Sequence, residues 1–181
     1  MIAEVNHATA RARVKSGDIL TEFLPFITFR AGTTKTWSPP TVGEQCVMLS
    51  VSGEFTTACI LVGLYTQNSP SQSPDEHVIE FADSAKITYN QSNGALIVTG
   101  IKTASITAAN QIDIDCPTIN IKGNVNIDGS LSTTGTSTTK GNISTQGSVT
   151  ASGDIKGGAI SLQNHVHVEQ GDGQRTSNAK V

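Results

Sequence analysis

Residues 123–158 read GNVNID-GSLSTT-GTSTTK-GNISTQ-GSVTAS-GDIKGG, with Gly123, Gly129, Gly135, Gly141, Gly147 and Gly153 six positions apart. Two positions after each glycine stand Val125, Leu131, Ser137, Ile143, Val149 and Ile155, five of them apolar. The register extends back to Pro117-Thr118-Ile119. Strand side chains alternate, so the second and fourth positions after each glycine face the same way. Those pairs are Val125/Ile127, Leu131/Thr133, Ser137/Thr139, Ile143/Thr145 and Val149/Ala151. Glycine then takes the corner, where a positive φ or close packing is needed.

A period of six predicts a β-helix. One chain can wind three hexads to a coil, but Pro117 to Ile155 would make barely two coils. That is too little for a capped solenoid. Alternatively, three chains wind round one axis and each supplies one face per layer. Every layer is then closed by a single hexad from each chain. This form also accounts for inward Thr and Ser, since three small polar side chains meeting at an axis can bond to one another. A disordered Ser/Thr/Gly linker would show no phase between glycine and aliphatics.

Composition points the same way. Among 181 residues, aromatics are 4% and charged residues 15%. A monomer built from the C-terminal half would bury too little apolar surface to offset an ordering cost of about 1.5 kcal/mol per residue. The net charge of −3 argues against a polyanion binder, and Arg11, Arg13, Lys15, Arg30 and Lys35 read as a solvated basic face. Cys46, Cys59 and Cys116 form no CxxC. Cys46 and Cys59 lie in apolar strands, so buried free thiols are expected, made in a reducing cytoplasm. The first residues show no basic n-region and no h-region, and no apolar run approaches the ~20 residues of a membrane span.

Ahead of the hexads the pattern is all-β. Ala10, Ala12 and Val14 alternate with Arg11, Arg13 and Lys15. Phe23, Leu24, Phe26, Ile27 and Phe29 form a second apolar stretch, Val47, Leu49 and Val51 a third, and Ala58 to Leu64 a fourth. Short strands at this spacing predict a small barrel. Residues 68–74, NSPSQSP, read as a linker. Strands are then expected at His77 to Phe81, Lys86 to Tyr89 and Ala95 to Thr99, with Asn93-Gly94 as a hairpin signal.

Eight residues after Gly157 comes His165-Val166-His167. Histidines at i and i+2 share one side of a strand. One chain offers two imidazoles, whereas three chains round a threefold axis offer six. Six nitrogens suit iron, nickel or cobalt better than zinc, which usually takes four ligands. Such a site would staple three chain ends where little core remains. Glu169 and Asp172 could stand behind the ligands, although solvated tip residues are the plainer reading. His7 and His77 read as ordinary surface histidines. No GxSxG, HExxH or P-loop occurs, and Asp113-Ile114-Asp115 is a same-side carboxylate pair without a cleft, so no enzyme is expected.

The chain resembles the central baseplate spike proteins of contractile-tailed phages and R-type pyocins that carry no lysozyme domain. The residues that carry the resemblance are Arg30-Ala31-Gly32, Thr36-Trp37, Pro40, Gly43-Glu44-Gln45, Gly53-Glu54, Gly63-Leu64-Tyr65, Gly100-Ile101-Lys102-Thr103-Ala104 and His165-Val166-His167. It implies an OB-fold at residues 1–75, a homotrimeric triple-stranded β-helix at 76–162 and an apex at 163–181. It implies one iron ion per trimer, held octahedrally by six nitrogens of His165 and His167 from three chains. It implies a place at the tail baseplate of the virion, docking of the N-terminal domain to a tail hub, and puncture of the host outer membrane on sheath contraction. Nucleic acid is not an expected partner. The family has residues ahead of the first barrel strand, where this sequence has only Met1.

About a dozen hexads climbing ~4.8 Å each would give a shaft of roughly 55 Å. A bilayer with its headgroups spans ~40–45 Å. The alternative is a hexapeptide-repeat acyltransferase, also a trimer with a histidine in its site. Its hexads need small residues where this chain has Ile127 and Thr133, and it needs many more coils.

Overall fold

The computed structural model describes residues 1–167 and 171. Apart from two single 3-10 turns, Val51–Gly53 and Phe55–Thr57, its regular elements are all strands. The chain falls into two units, Met1–Asp113 and Ile114–Val181.

In the first unit, β1 (Ile2–Asn6) and β2 (Arg11–Ser16) pair antiparallel, with Ile2 opposite Val14 and Val5 opposite Ala12. The expected alternation holds: Ala12 and Val14 are buried while Arg11 and Lys15 face out. Ala10 departs from it, because it closes the β1–β2 turn at φ 52°. β2 continues into β3 (Ile19–Leu20) and also pairs with β4 (Leu24–Pro25).

The long apolar stretch 23–29 therefore yields only two ladder residues. Pro25 has no N–H to extend the ladder. Phe26 then forms a parallel bridge to Ile60, and the Ile27 N–H donates to the Ile60 carbonyl at 2.8 Å. β5 (Val47–Leu49) and β6 (Cys59–Leu61) pair antiparallel and are shorter than the sequence suggests. Val51 enters a 3-10 turn, with Ser52 at φ 58° and Gly53 at φ 77°.

The core of this part is Ile2, Ala12, Val14, Leu24, Ala58 and Ile60, with Val5, Phe26, Cys46, Met48 and Val62 packed against it. Thr21 is buried at its edge, where its Oγ1 accepts from the Val14 N–H at 3.0 Å. The arginines are partly structural. Arg13 Nε donates to the Thr21 carbonyl at 2.7 Å and its guanidinium lies 5.7 Å from the Phe23 ring centre, while Arg11 donates to the Phe23 carbonyl at 3.0 Å. All three thiols are free, but Cys46 and Cys59 are half-buried rather than buried, and Cys116 is exposed.

The 68–74 segment is more ordered than a bare linker. Ser71 Oγ donates to the Glu76 carboxylate at 2.6 Å, while the Ser73 N–H donates to Ser71 Oγ at 3.1 Å and the Asp75 N–H to Ser73 Oγ at 3.2 Å. Local Ser-to-backbone bonds of this kind set successive turns. They lead into β7 (Glu76–Glu80), β8 (Lys86–Asn90) and β9 (Ala95–Thr99), an antiparallel sheet in that order. The Asn93-Gly94 turn forms as predicted, with Gly94 at φ 67° and Asn90 opposite Ala95. Register puts His77, Tyr89 and Leu96 in one row and Ile79, Ile87 and Val98 in the next row on that face. All six are exposed.

From Gly100 to Ile155 the chain forms no strand of its own. An extended backbone pairs only with something lying alongside it, and among the described residues no other part of the chain forms a ladder with this segment. The hexad aliphatics are consequently bare: Leu131 and Ile143 are each 76% exposed. Of the six hexad glycines only Gly123 (φ 156°) and Gly129 (φ 149°) take a positive φ, and a Cβ on any of the six would meet nothing within 4 Å. Close packing, the other reason for glycine, has no partner at these positions among the described residues. The second unit ends in a hairpin of β10 (Lys156–Gly157) and β11 (Ile160–Ser161), turned by Gly158 at φ 63°.

Candidate metal site

The hairpin leads straight into the histidine pair. Leu162 N–H donates to the Ile155 carbonyl at 2.9 Å and Gln163 N–H to Asp154 Oδ1 at 3.2 Å, which ties the chain leaving β11 back to the strand entering β10. Ser161 then organises a turn. Its Oγ accepts from the Asn164 N–H at 2.8 Å and its carbonyl from the His165 N–H at 3.0 Å. The hydroxyl takes a backbone donor that extended structure would have used, which ends the hairpin there.

His165 and His167 come together. Their ring centres are 5.2 Å apart at 83°, edge to face. His165 and Val166 are half-buried and His167 is exposed. His165 Nδ1 lies against the backbone carbonyls of Ser161 (3.0 Å) and Leu162 (3.1 Å). Two neighbouring imidazoles are a donor set that suits zinc, iron, nickel and similar ions. Among the described residues no group of three or more His, Cys, Asp or Glu could hold a metal ion, so the pair brings two imidazoles together without a third such side chain. Glu169 and Asp172 lie outside the described residues. His7 and His77 are exposed and far along the chain from the pair.

Ser161, Leu162 and Asp154 escape sequence reading because the partners they bind here are mostly backbone amides and carbonyls, which no residue type marks. The weak signal for them is Ser161 three residues ahead of Asn164, the spacing of a Ser-capped turn.

A second feature organises the first unit. Glu44 Oε2 accepts from the Thr41 N–H at 2.9 Å, its Oε1 from the Gly63 N–H at 3.2 Å, and its carbonyl from the Ile2 N–H at 2.8 Å. One residue thus joins β1, the 41–43 turn and the segment after β6. Beside it runs an open apolar hollow lined by Ile27, Phe29, Pro39, Pro40, Leu61 and Val62. Phe29 is 95% exposed and Trp37 is 58% exposed, while Phe26 packs on the core with its ring 6.1 Å from that of Trp37. The aromatics therefore divide between core and surface.

Residues 1–65 match the family model described as the Type VI secretion system/phage-baseplate injector OB domain. The chain is 41% identical over 126 residues to the Spike protein of Escherichia phage P2, a match that covers 68% of this chain. It spans 60% of that relative's length. The resemblance to phage baseplate spike proteins is borne out, and residues 1–65 are of the OB type.

Proposed function

We propose that this chain is the central spike of a contractile tail. Three copies wind into a shaft that is driven through the host outer membrane when the sheath contracts. The observation that carries this reading is the row of bare aliphatics on a six-residue period. Val125, Ile127, Leu131, Ile143 and Val149 are each more than half exposed, in a segment that forms no ladder with the described residues of its own chain. Two further copies would cover them, give each layer its hydrogen-bond partners, and supply the close packing that would explain glycine at every corner. The apolar face of the β7–β9 sheet would be covered by the same copies.

The role is mechanical, with no catalytic step. The OB-type domain docks to the tail hub at the baseplate of the virion. At the other end His165 and His167 of each chain would hold one iron ion in a shell of six nitrogens. The ion's contribution is a cross-link between three chain ends, and with all positions filled it leaves none open for a substrate.

The test uses tail particles assembled with the full chain or with a chain lacking three hexads, Gly129 to Gln146, which keeps the period in register. Both should adsorb to cells, and only the full chain should let a periplasmic dye escape. Equal leakage from both would overturn the piercing role.

A further inference from the structure

His165 is held at one ring nitrogen before any metal is considered. Its Nδ1 stands 3.0 Å from the Ser161 carbonyl oxygen and 3.1 Å from that of Leu162. Carbonyl oxygens only accept, so Nδ1 is the donor and carries the hydrogen. In a neutral imidazole this leaves the lone pair on Nε2.

The two carbonyls are themselves fastened. The Ser161 hydroxyl accepts from the Asn164 N–H at 2.8 Å, and the Ser161 carbonyl also accepts the His165 N–H at 3.0 Å. Leu162 is bound back to Ile155 at 2.9 Å, and Gln163 to Asp154 at 3.2 Å. The ring's tautomer and its orientation thus follow from a turn that the hairpin builds.

We propose that the Ser161–His165 turn presets His165 as the Nδ1–H tautomer, so that it ligates through Nε2, with Ser161 as its positioning residue. The proposal rests on the shared tip site described above. A ligating histidine that donates its second ring N–H to a carbonyl is oriented by it and made more basic. A ring fixed in advance also loses less rotamer freedom when the ion binds, which matters at a chain end with little core.

The experiment labels the histidine nitrogens of the full chain, loads it with an NMR-active cadmium(II) isotope as the probe, and reads which ring nitrogen couples to the metal. Coupling to Nε2 of His165, with a proton on its Nδ1, is expected. Ser161→Ala should still load one cadmium per three chains, but release to a chelator should quicken about ten-fold, the scale of lost partners behind a ligand. Ser161→Thr, which keeps the hydroxyl, should restore the slow release. Coupling to Nδ1, or a Ser161→Ala release rate equal to that of the parent chain, would overturn the proposal. If the parent chain takes up no cadmium, the shared-site reading fails, and the ligand assignment with it. The tautomer is then read in the metal-free sample: a proton on Nδ1 upholds the preset turn and one on Nε2 refutes it.

Discussion

A Cβ placed on Gly100 would stand 2.9 Å from the Cα of Ala85 and 3.0 Å from the Ser84 carbonyl oxygen. Gly100 follows the last residue of β9, and Ala85 closes the 81–85 turn, where Ser84 sits at φ 68°. Two backbones touch there with no room for a side chain. Gly100 is also held at φ 73°, a conformation that other residues adopt with strain.

Gly100→Ala should therefore cost about 2–4 kcal/mol, adding backbone displacement to left-handed strain. Gly94→Ala is the control. Gly94 has φ 67° but open space around it, so only the strain applies, about 1 kcal/mol. Hydrogen exchange at the amides of β8 and β9 should quicken strongly in the first variant and slightly in the second. Equal effects would mean the contact with Ala85 carries no cost.

Glu44→Gln should loosen the first domain by about 1–2 kcal/mol. The carboxylate gives one oxygen to the Thr41 N–H and the other to the Gly63 N–H. A carboxamide has a single acceptor oxygen, so one of these donors loses its partner and meets an NH2 group instead. Chemical denaturation of the full chain should show a lower midpoint at unchanged slope. A midpoint equal to that of the parent would mean water satisfies the donor as well.

Light scattering should give the mass of three chains, with no exchange of labelled chains over days. Interleaved chains must all come apart before any one is free, so unfolding should be slow and the shaft should resist heat and detergent. A folded monomer, or reversible melting of the C-terminal half near about 50 °C, a mesophile temperature, would count against it.

Replacing both His165 and His167 with alanine should abolish bound metal and fray the chain from about residue 160 onward, read as new protease cuts there. The mass should stay that of three chains, because the hexads do not depend on the ion. Elemental analysis of the parent should find one transition metal per three chains. One metal per chain would refute the shared shell.

Single-stranded DNA should not bind at physiological salt. OB-type domains that hold it combine aromatic platforms with basic grooves. Here Phe26 is packed on the core, Arg11 and Arg13 are engaged with the carbonyls of Phe23 and Thr21, and the net charge is −3. Micromolar binding would overturn this.

The all-β character, the sheet from Glu76 to Thr99, the period of the hexads and the spacing of His165 from His167 were legible in the residue order. Each is a matter of side-chain alternation or of spacing between neighbours, and alternation is a local property of the chain. It overran the strands at Phe23–Phe29 and Val47–Val51. Pro25 and the 3-10 turn end those ladders, and hydrophobicity does not report backbone donors. Only the folded chain shows that Glu44 joins β1 to the segment after β6, that Gly100 lies on Ala85, and that His165 turns Nδ1 toward Ser161 and Leu162. In each of them at least one partner is a backbone amide, carbonyl or Cα, which every residue carries alike. No residue name announces them, and only the path of the folded chain brings them into register.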